Sequence, residues 1–448
     1  MLYHGRVTLK KTAIRCCLCL FLVLSSTIHS LAEDTWSGFQ NGGRPPNEGP
    51  PLTPLEWDGT AGIAWSATIE GYGQSSPVAD GRYIYLTSVS GDNMQHCHVL
   101  AVDRNDGSKV WHHQFANPSP EENTNYVSRA APSPVVDDER VIAWFEGGLV
   151  VAFSLKGDRL WKRNLVADYG AIKVRHGLAA SIEQNDHHAF IWVERQDDPY
   201  VLALSKKTGE TLWKSQGVGA TSWSSPRLVP VEENNHLVLS AIGKIVGVNP
   251  SDGQILWEFD DISGNSTPTP IPVGNGRFLI GATTGRGGAS DDGNSAASNG
   301  LIQIHRDDQT GFSASYVWRA KRATSSFGSP LAFQGHAYFV NRRGVVYCLD
   351  LETGEERYAQ RIASSIWATP IGVADRIYFF GKDGTTSVLK TGSDFQLLAN
   401  NSLNSDQDVL NSEPNVRSNG RVLYAALLVG PDLILRRGST LFKISPSS

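Results

Sequence analysis

Three regularities in this chain of 448 residues predict an all-β fold, an eight-bladed β-propeller of four-stranded antiparallel blades. Eight aromatic residues (Trp65, Trp111, Trp161, Trp213, Trp257, Trp318, Tyr358 and Phe395) close short alternating runs. Their spacings of 46, 50, 52, 44, 61, 40 and 37 residues lie near the length of such a blade. Eight apolar runs, most of them introduced by Ser-Pro or Thr-Pro, are interleaved with these aromatics. The composition, with 12 Trp, 44 Gly and 22 Pro against 2 Met, is that of many short strands and turns around a large core.

The N-terminus has a different character. Arg6, Lys10, Lys11 and Arg15 precede the apolar run from Cys16 to Leu24, and Ser30-Leu31-Ala32 supplies small residues at a cleavage position. This reads as a signal peptide over residues 1–32, since the run is too short to span a bilayer. Its removal leaves 36 Lys+Arg against 45 Asp+Glu, a net charge of −9, which disfavours nucleic acid as a partner. Only Cys97 and Cys348 remain, in repeats far apart, so they are expected to be small buried side chains and not a disulfide. Residues 33–60, rich in Gly and Pro, read as an extended lead-in to a single propeller over 61–448.

The clearest closing segments are AVDRNDGSKVW, ALSKKTGETLW and GVNPSDGQILW, ending at Trp111, Trp213 and Trp257. FSLKGDRLW at Trp161 is one residue shorter in its turn, and the copies at Tyr358 and Phe395 are degenerate. Asp-Gly, Thr-Gly and Lys-Gly between alternating runs supply the positive φ of a tight hairpin. An aromatic at the same place in every hairpin is expected to fill the gap between adjacent blades.

The opening runs begin at Ser75, Pro134, Leu178, Pro226, Pro268, Pro330, Pro370 and Pro414. Pro is permitted at the first residue of a strand because no ladder donor is lost there. Trp65 precedes the first opener and no aromatic closes the last. The strand around Trp65 is therefore expected to complete the last blade and to protect its free edge. The long 61-residue interval holds a Gly/Ser-rich stretch, 281–300, read as an insertion in the fifth blade.

The motif small-x-Asp/Asn/Ser-x-x-x-Gly-x-x-x-Trp resembles the repeat of the pyrroloquinoline-quinone (PQQ)-like β-propeller family, over nearly the whole chain after the leader. That family includes quinoprotein alcohol dehydrogenases and cofactor-free BamB-like binding propellers. The resemblance implies, for the dehydrogenases, PQQ beside a disulfide of adjacent cysteines, calcium near a catalytic Asp, and often a haem segment. Here the adjacent pair Cys16-Cys17 lies in the leader and no Cys-x-x-Cys-His segment exists. The chain thus looks closer to the BamB-like propellers: exported to the periplasm or cell exterior, monomeric, binding protein or cell-envelope partners, without catalysis or cofactor. A PQQ-dependent oxidoreductase using calcium, and a carbohydrate-binding propeller, are the alternatives.

Residues just before each opener face the channel mouth in such a fold. They are Tyr72, Arg129, Arg175, His176, Trp223, Asn265, Phe327, Trp367, and Asn411 with Glu413. Aromatic faces interrupted by arginines suit a planar or carboxylated ligand or a sugar. In the quinoprotein reading Trp223 or Trp367 stacks on the quinone and Arg129 or Arg175 holds its carboxylates. No metal site is expected: His96/His98 and His112/His113 are read as alternating between strand faces, and His187-His188 as a solvated turn.

Overall fold

The computed structural model describes residues 1–2, 35–44, 53–59, 61–124, 127–283, 296–403 and 425–446. The proposed signal peptide, Asn411, Glu413, the Pro414 opener and most of the 281–300 insertion lie outside them. The described chain forms eight four-stranded antiparallel sheets, the blades of the expected propeller. Blades 1 to 7 span 78–116, 135–164, 183–216, 227–259, 271–319, 331–361 and 371–402. Blade 8 combines strands Ala425–Val429, Asp432–Arg437 and Thr440–Ile444 with Ile63–Thr68, so the N-terminal strand closes the ring as expected.

The sequence pattern follows from where each strand sits. The second and third strands of a blade are covered on both faces by its neighbours, so Tyr83–Ser90 and His96–Asp103 are buried almost throughout and read as continuous apolar runs. The outer strands alternate, as Arg159–Asn164 does. In the clearest repeats the small residue of the motif lies opposite the aromatic: Ala101 on Trp111, Ala152 on Trp161, Ala203 on Trp213, Gly247 on Trp257. At Gly247 even a Cβ would stand 2.1 Å from the indole.

Each turn is built by its first residue and its glycine together. Asp103 Oδ1 accepts from the Asn105 N–H, Gly107 N–H donates to the Asp103 carbonyl, and Gly107 takes φ +73°. The closing Trp of one blade then lies on the turn of the next. Trp65, Trp111, Trp161, Trp213 and Trp318 donate their indole N–H to the carbonyls of Arg104, Leu155, Lys206, Pro250 and Leu351. The same contact thus seals the seam between blades 8 and 1 as seals those between blades 1 and 2, 2 and 3, 3 and 4, and 5 and 6. Trp257 departs from the pattern and donates to His236 Nδ1 within its own blade. Cys97 and Cys348 are buried and unpaired.

The Ser-Pro and Thr-Pro openers perform a task beyond starting strands. The backbone N–H of Ser76 donates to the Ser133 hydroxyl, Ser133 to Ser181, Ser181 to Ser225, Ser225 to Thr269, Thr269 to Ser329, and Ser329 to Thr369, all at 2.9–3.0 Å. Six successive links form a belt that ties seven blades together around the channel. In blade 5 the belt residue is Thr269 with Pro270, so the opener read at Pro268 is placed two residues early. Ser181 keeps the position in blade 3 without a proline after it.

The channel itself is occupied by the chain. Trp36 pairs with Ala79 of blade 1, and the Ser37 carbonyl accepts from Val136 of blade 2 and Gln184 of blade 3. The Phe39 carbonyl accepts from Arg227 of blade 4, and Gln40 Nε2 donates to Ser329 and Thr369 of the belt. Residues 40–43 turn left-handedly with φ between 51° and 75°, which Asn41, Gly42 and Gly43 accommodate readily. Residues 36–44 thus form a plug at the ends of the inner strands, on the face called lower here; the opposite face, where inner strands begin, is the upper. Further along, the Thr53 and Pro54 carbonyls and Trp57 N–H bind Arg376, Tyr378 and Asn401 of blade 7.

Candidate functional site

The upper mouth gathers the expected residues into neighbouring pairs. The Arg129 guanidinium lies 3.8 Å from the Tyr72 ring centroid, and Arg129 is buried. His176 and Trp223 have ring centroids 6.3 Å apart, and Phe327 and Trp367 4.4 Å apart. Arg175 and His176 are exposed. The His176 backbone is left-handed, φ 68°, and its carbonyl receives the Ser128 N–H.

Asn265 is held within the structure by its own amide. It is fully buried, donates to the Ser240 hydroxyl and the Lys244 carbonyl, and accepts from the Gly243 N–H. Both amide donors and its oxygen hold the blade 4 turn, as Asn299 holds Ala282 in blade 5.

Other groups on this face carry no local signal in the sequence. Between blades 3 and 4 lies an open cleft of about 720 Å³ with Lys173, Arg175 and Arg195 in its wall. Arg195 is committed to the Gly170, Ala171 and Asp198 carbonyls, whereas Lys173 and Arg175 are exposed. Glu194 accepts from Trp192 Nε1 and from the N–H groups of Val218, Gly219 and Ala220, and so fixes the cleft floor; burial raises its pKa in spite of these donors. Arg436 is fully buried at the seam, donating to Ser75 and Thr87 of blade 1, and burial pulls its pKa down to about 9.

Glu146, whose Oε1 accepts from Ala130 N–H at the mouth, is pushed up to about 7 by burial, against the pull of backbone donors. In the unfolded chain it has the ordinary value near 4.5. The folded state therefore binds the extra proton between about 4.5 and 7, and stability falls as pH rises through that window. Glu146→Gln is expected to melt above the wild type at about pH 8 and alongside it at about pH 4, read by thermal denaturation. Equal melting curves at the higher pH would refute this.

The histidines need one correction. His96 and His98, two residues apart, share a face of their strand, and on it His98 Nδ1 meets His112 Nε2 of the next strand at 2.9 Å. Burial chiefly, with His112 and His96 adding, holds His98 near 4. Among the described residues no group of three His, Cys, Asp or Glu side chains is placed to hold a metal ion. No helix there is long and apolar enough to cross a membrane.

Eight four-stranded antiparallel blades in a ring, with residues 36–44 seated on the inner strands, define an eight-bladed β-propeller. Residues 55–176, 170–291 and 307–397 match the family model described as outer membrane protein assembly factor BamB, and the chain belongs to this PQQ-like propeller family. An outer membrane protein assembly factor BamB of Legionella pneumophila (strain Paris) is 24% identical over 160 residues, covering 36% of this chain and 40% of that protein. The match thus spans less than half of the curated relative.

Among solved structures, BamB from Moraxella catarrhalis superposes with a TM-score of 0.55 at 13% identity, over 85% of this chain and 96% of the other. The quinohemoprotein alcohol dehydrogenase from Comamonas testosteroni gives 0.58 at 11%, over 93% and 81%. Such likenesses show the fold, and they do so for a BamB and an alcohol dehydrogenase alike.

Proposed function

We propose that the protein is an exported protein-binding scaffold of the cell envelope, presenting its upper face to partners, with neither PQQ nor catalysis. The observation that carries this reading is the plug. Residues 36–44 fill the lower channel and leave beside them a void of about 60 Å³, against the 300 Å³ or more that an organic ligand usually needs, so the space open to a partner is the cleft of the upper face. Membership of a family described as an outer membrane protein assembly factor supports the envelope setting.

The quinoprotein reading has less support. Three of the four groups it would use already have ring or cation neighbours, Arg129 with Tyr72, Trp223 with His176, and Trp367 with Phe327, and Arg175 alone of the four is exposed. The test is site-specific photo-cross-linking in the native host, with the reactive residue at Arg175 or His176 on the upper face and at Asp186 or Asp308 on the lower. Adducts with outer-membrane assembly proteins from the upper positions are the expected result. Adducts confined to the lower positions would overturn the reading, as would PQQ with calcium raising the melting temperature and supporting dye reduction.

A further inference from the structure

We propose that the upper patch of blades 6 and 7, the Phe327–Trp367 ring pair bordered by Arg342, Arg343 and Lys382, docks an acidic polypeptide segment that carries an aromatic side chain. The inference rests on the scaffold reading and names the chemistry of its partner.

Phe327 is 41% exposed. The other exposed large apolar side chains of the described ring, Val110, Leu160, Leu212, Ile255, Val317 and Leu397, all lie on outer strands. Phe327 alone among them stands on a face of the ring, packed on Trp367 at 4.4 Å and 37°. An aromatic pair of this kind, half-buried on one side and open on the other, is the usual anchor of a protein interface.

The cations are held around it by backbone, not by acids. Arg342 N–H donates to the Ser326 hydroxyl, the Ser365 hydroxyl to the Arg342 carbonyl, and Lys382 N–H to the Ser365 carbonyl. The turns of the two blades are thereby locked to the segments that bear the rings. Lys382 Nζ sits 4.4 Å from the Trp367 centroid, and Arg342 and Arg343 are exposed. Elsewhere some exposed arginines meet acids, as Arg306 meets Glu232 and Arg322 meets Glu356. Among the described residues no carboxylate pairs with Arg342, Arg343 or Lys382. Nearby, Asp383 Oδ1 accepts from the Ser364 hydroxyl and the Thr385 N–H, so the patch sets three cations against one carboxylate.

Three neighbouring positive charges on a chain of net charge −5 form a local attraction for carboxylates, felt within about one Debye length of ~8–10 Å. A peptide is favoured over an anionic lipid surface because Phe327 is the single large apolar side chain exposed on this described face, too little to insert into a bilayer.

The test measures fluorescence anisotropy of a labelled peptide of about 12 residues, with Asp or Glu at alternate positions and one central Trp. Binding to the full chain is expected to weaken about tenfold for Arg342→Glu/Arg343→Glu, and severalfold for Phe327→Ala or when the peptide Trp becomes Ser. It should also weaken as salt rises from about 50 to about 300 mM. The two arginines are exposed turn residues, so the charge variant tests the site without touching the core. Absent binding, equal binding of a Lys-for-acid peptide, an unchanged affinity in the charge variant, or capture of phosphatidylglycerol vesicles in place of the peptide would each overturn the proposal. If the photo-cross-links from Arg175 or His176 survive in Arg342→Glu/Arg343→Glu while peptide binding never appears, the docking site fails and the scaffold reading stands.

Discussion

Glu183→Leu is expected to lower the free energy of unfolding by about 3–5 kcal/mol, the cost of stranding its buried partner. Arg227, 1% exposed, pairs with Glu183 at 3.1 Å and donates to the Phe39 carbonyl and Gln40 Oε1 of the plug. Removing the acid leaves a guanidinium in the channel wall without a counter-charge. The double variant Glu183→Leu/Arg227→Met removes both charges and should recover much of the loss, because an apolar pair of similar volume often replaces a buried ion pair at little cost. It should not restore the plug. Limited proteolysis is expected to cut within residues 35–44 faster in the double variant than in the wild type, although the two unfold at similar denaturant concentrations. A single variant as stable as the wild type would show that the ion pair does not anchor the ring.

The second large effect is expected at Trp318→Ala, about 3–5 kcal/mol by urea denaturation with an unchanged slope. The indole is 8% exposed, lies against Phe339 of blade 6 and donates to the Leu351 carbonyl at 2.9 Å. It also covers Gly354, where a Cβ would stand 2.5 Å from the ring. Truncation opens a cavity between two blades that rigid neighbouring sheets cannot close. Trp318→Phe should recover part of the loss, since it keeps ring volume but not the hydrogen bond. A loss below about 1 kcal/mol would place the stabilisation of the ring elsewhere.

The blades were legible because their signals are local. A turn residue, its glycine and a Trp four residues on lie within one hairpin, so Asp103, Gly107 and Trp111 announce themselves together. Closure by the strand around Trp65 followed from counting openers against closers. The plug was not legible, since its partners, from Ala79 to Thr369, are scattered over six blades and nothing in SGFQNGG has a period. Asn265 precedes the inner strand of blade 5 as expected, and its amide binds the turn of blade 4. Lys382, Arg342 and Arg343 went unnoticed because they sit in the turn between second and third strands, which no motif marks. His98 and His112 meet only through strand pairing, which places Leu100 opposite His112.

The hydroxyl belt has an electrostatic consequence for where an anion can bind. Every described link runs from one blade to the next in the same sense, Ser76 to Ser133 and onward to Thr369. Dipoles arranged head to tail around a circle reinforce one another along the circle, but their vector sum along the channel axis is small. A helix that ends at a site offers an anion a positive pole; a circulating chain of hydrogen bonds has no such pole to offer. Negative charge arriving at the upper mouth is therefore met by side-chain cations alone, and changing a few lysines and arginines is enough to reverse the sign of what this face attracts.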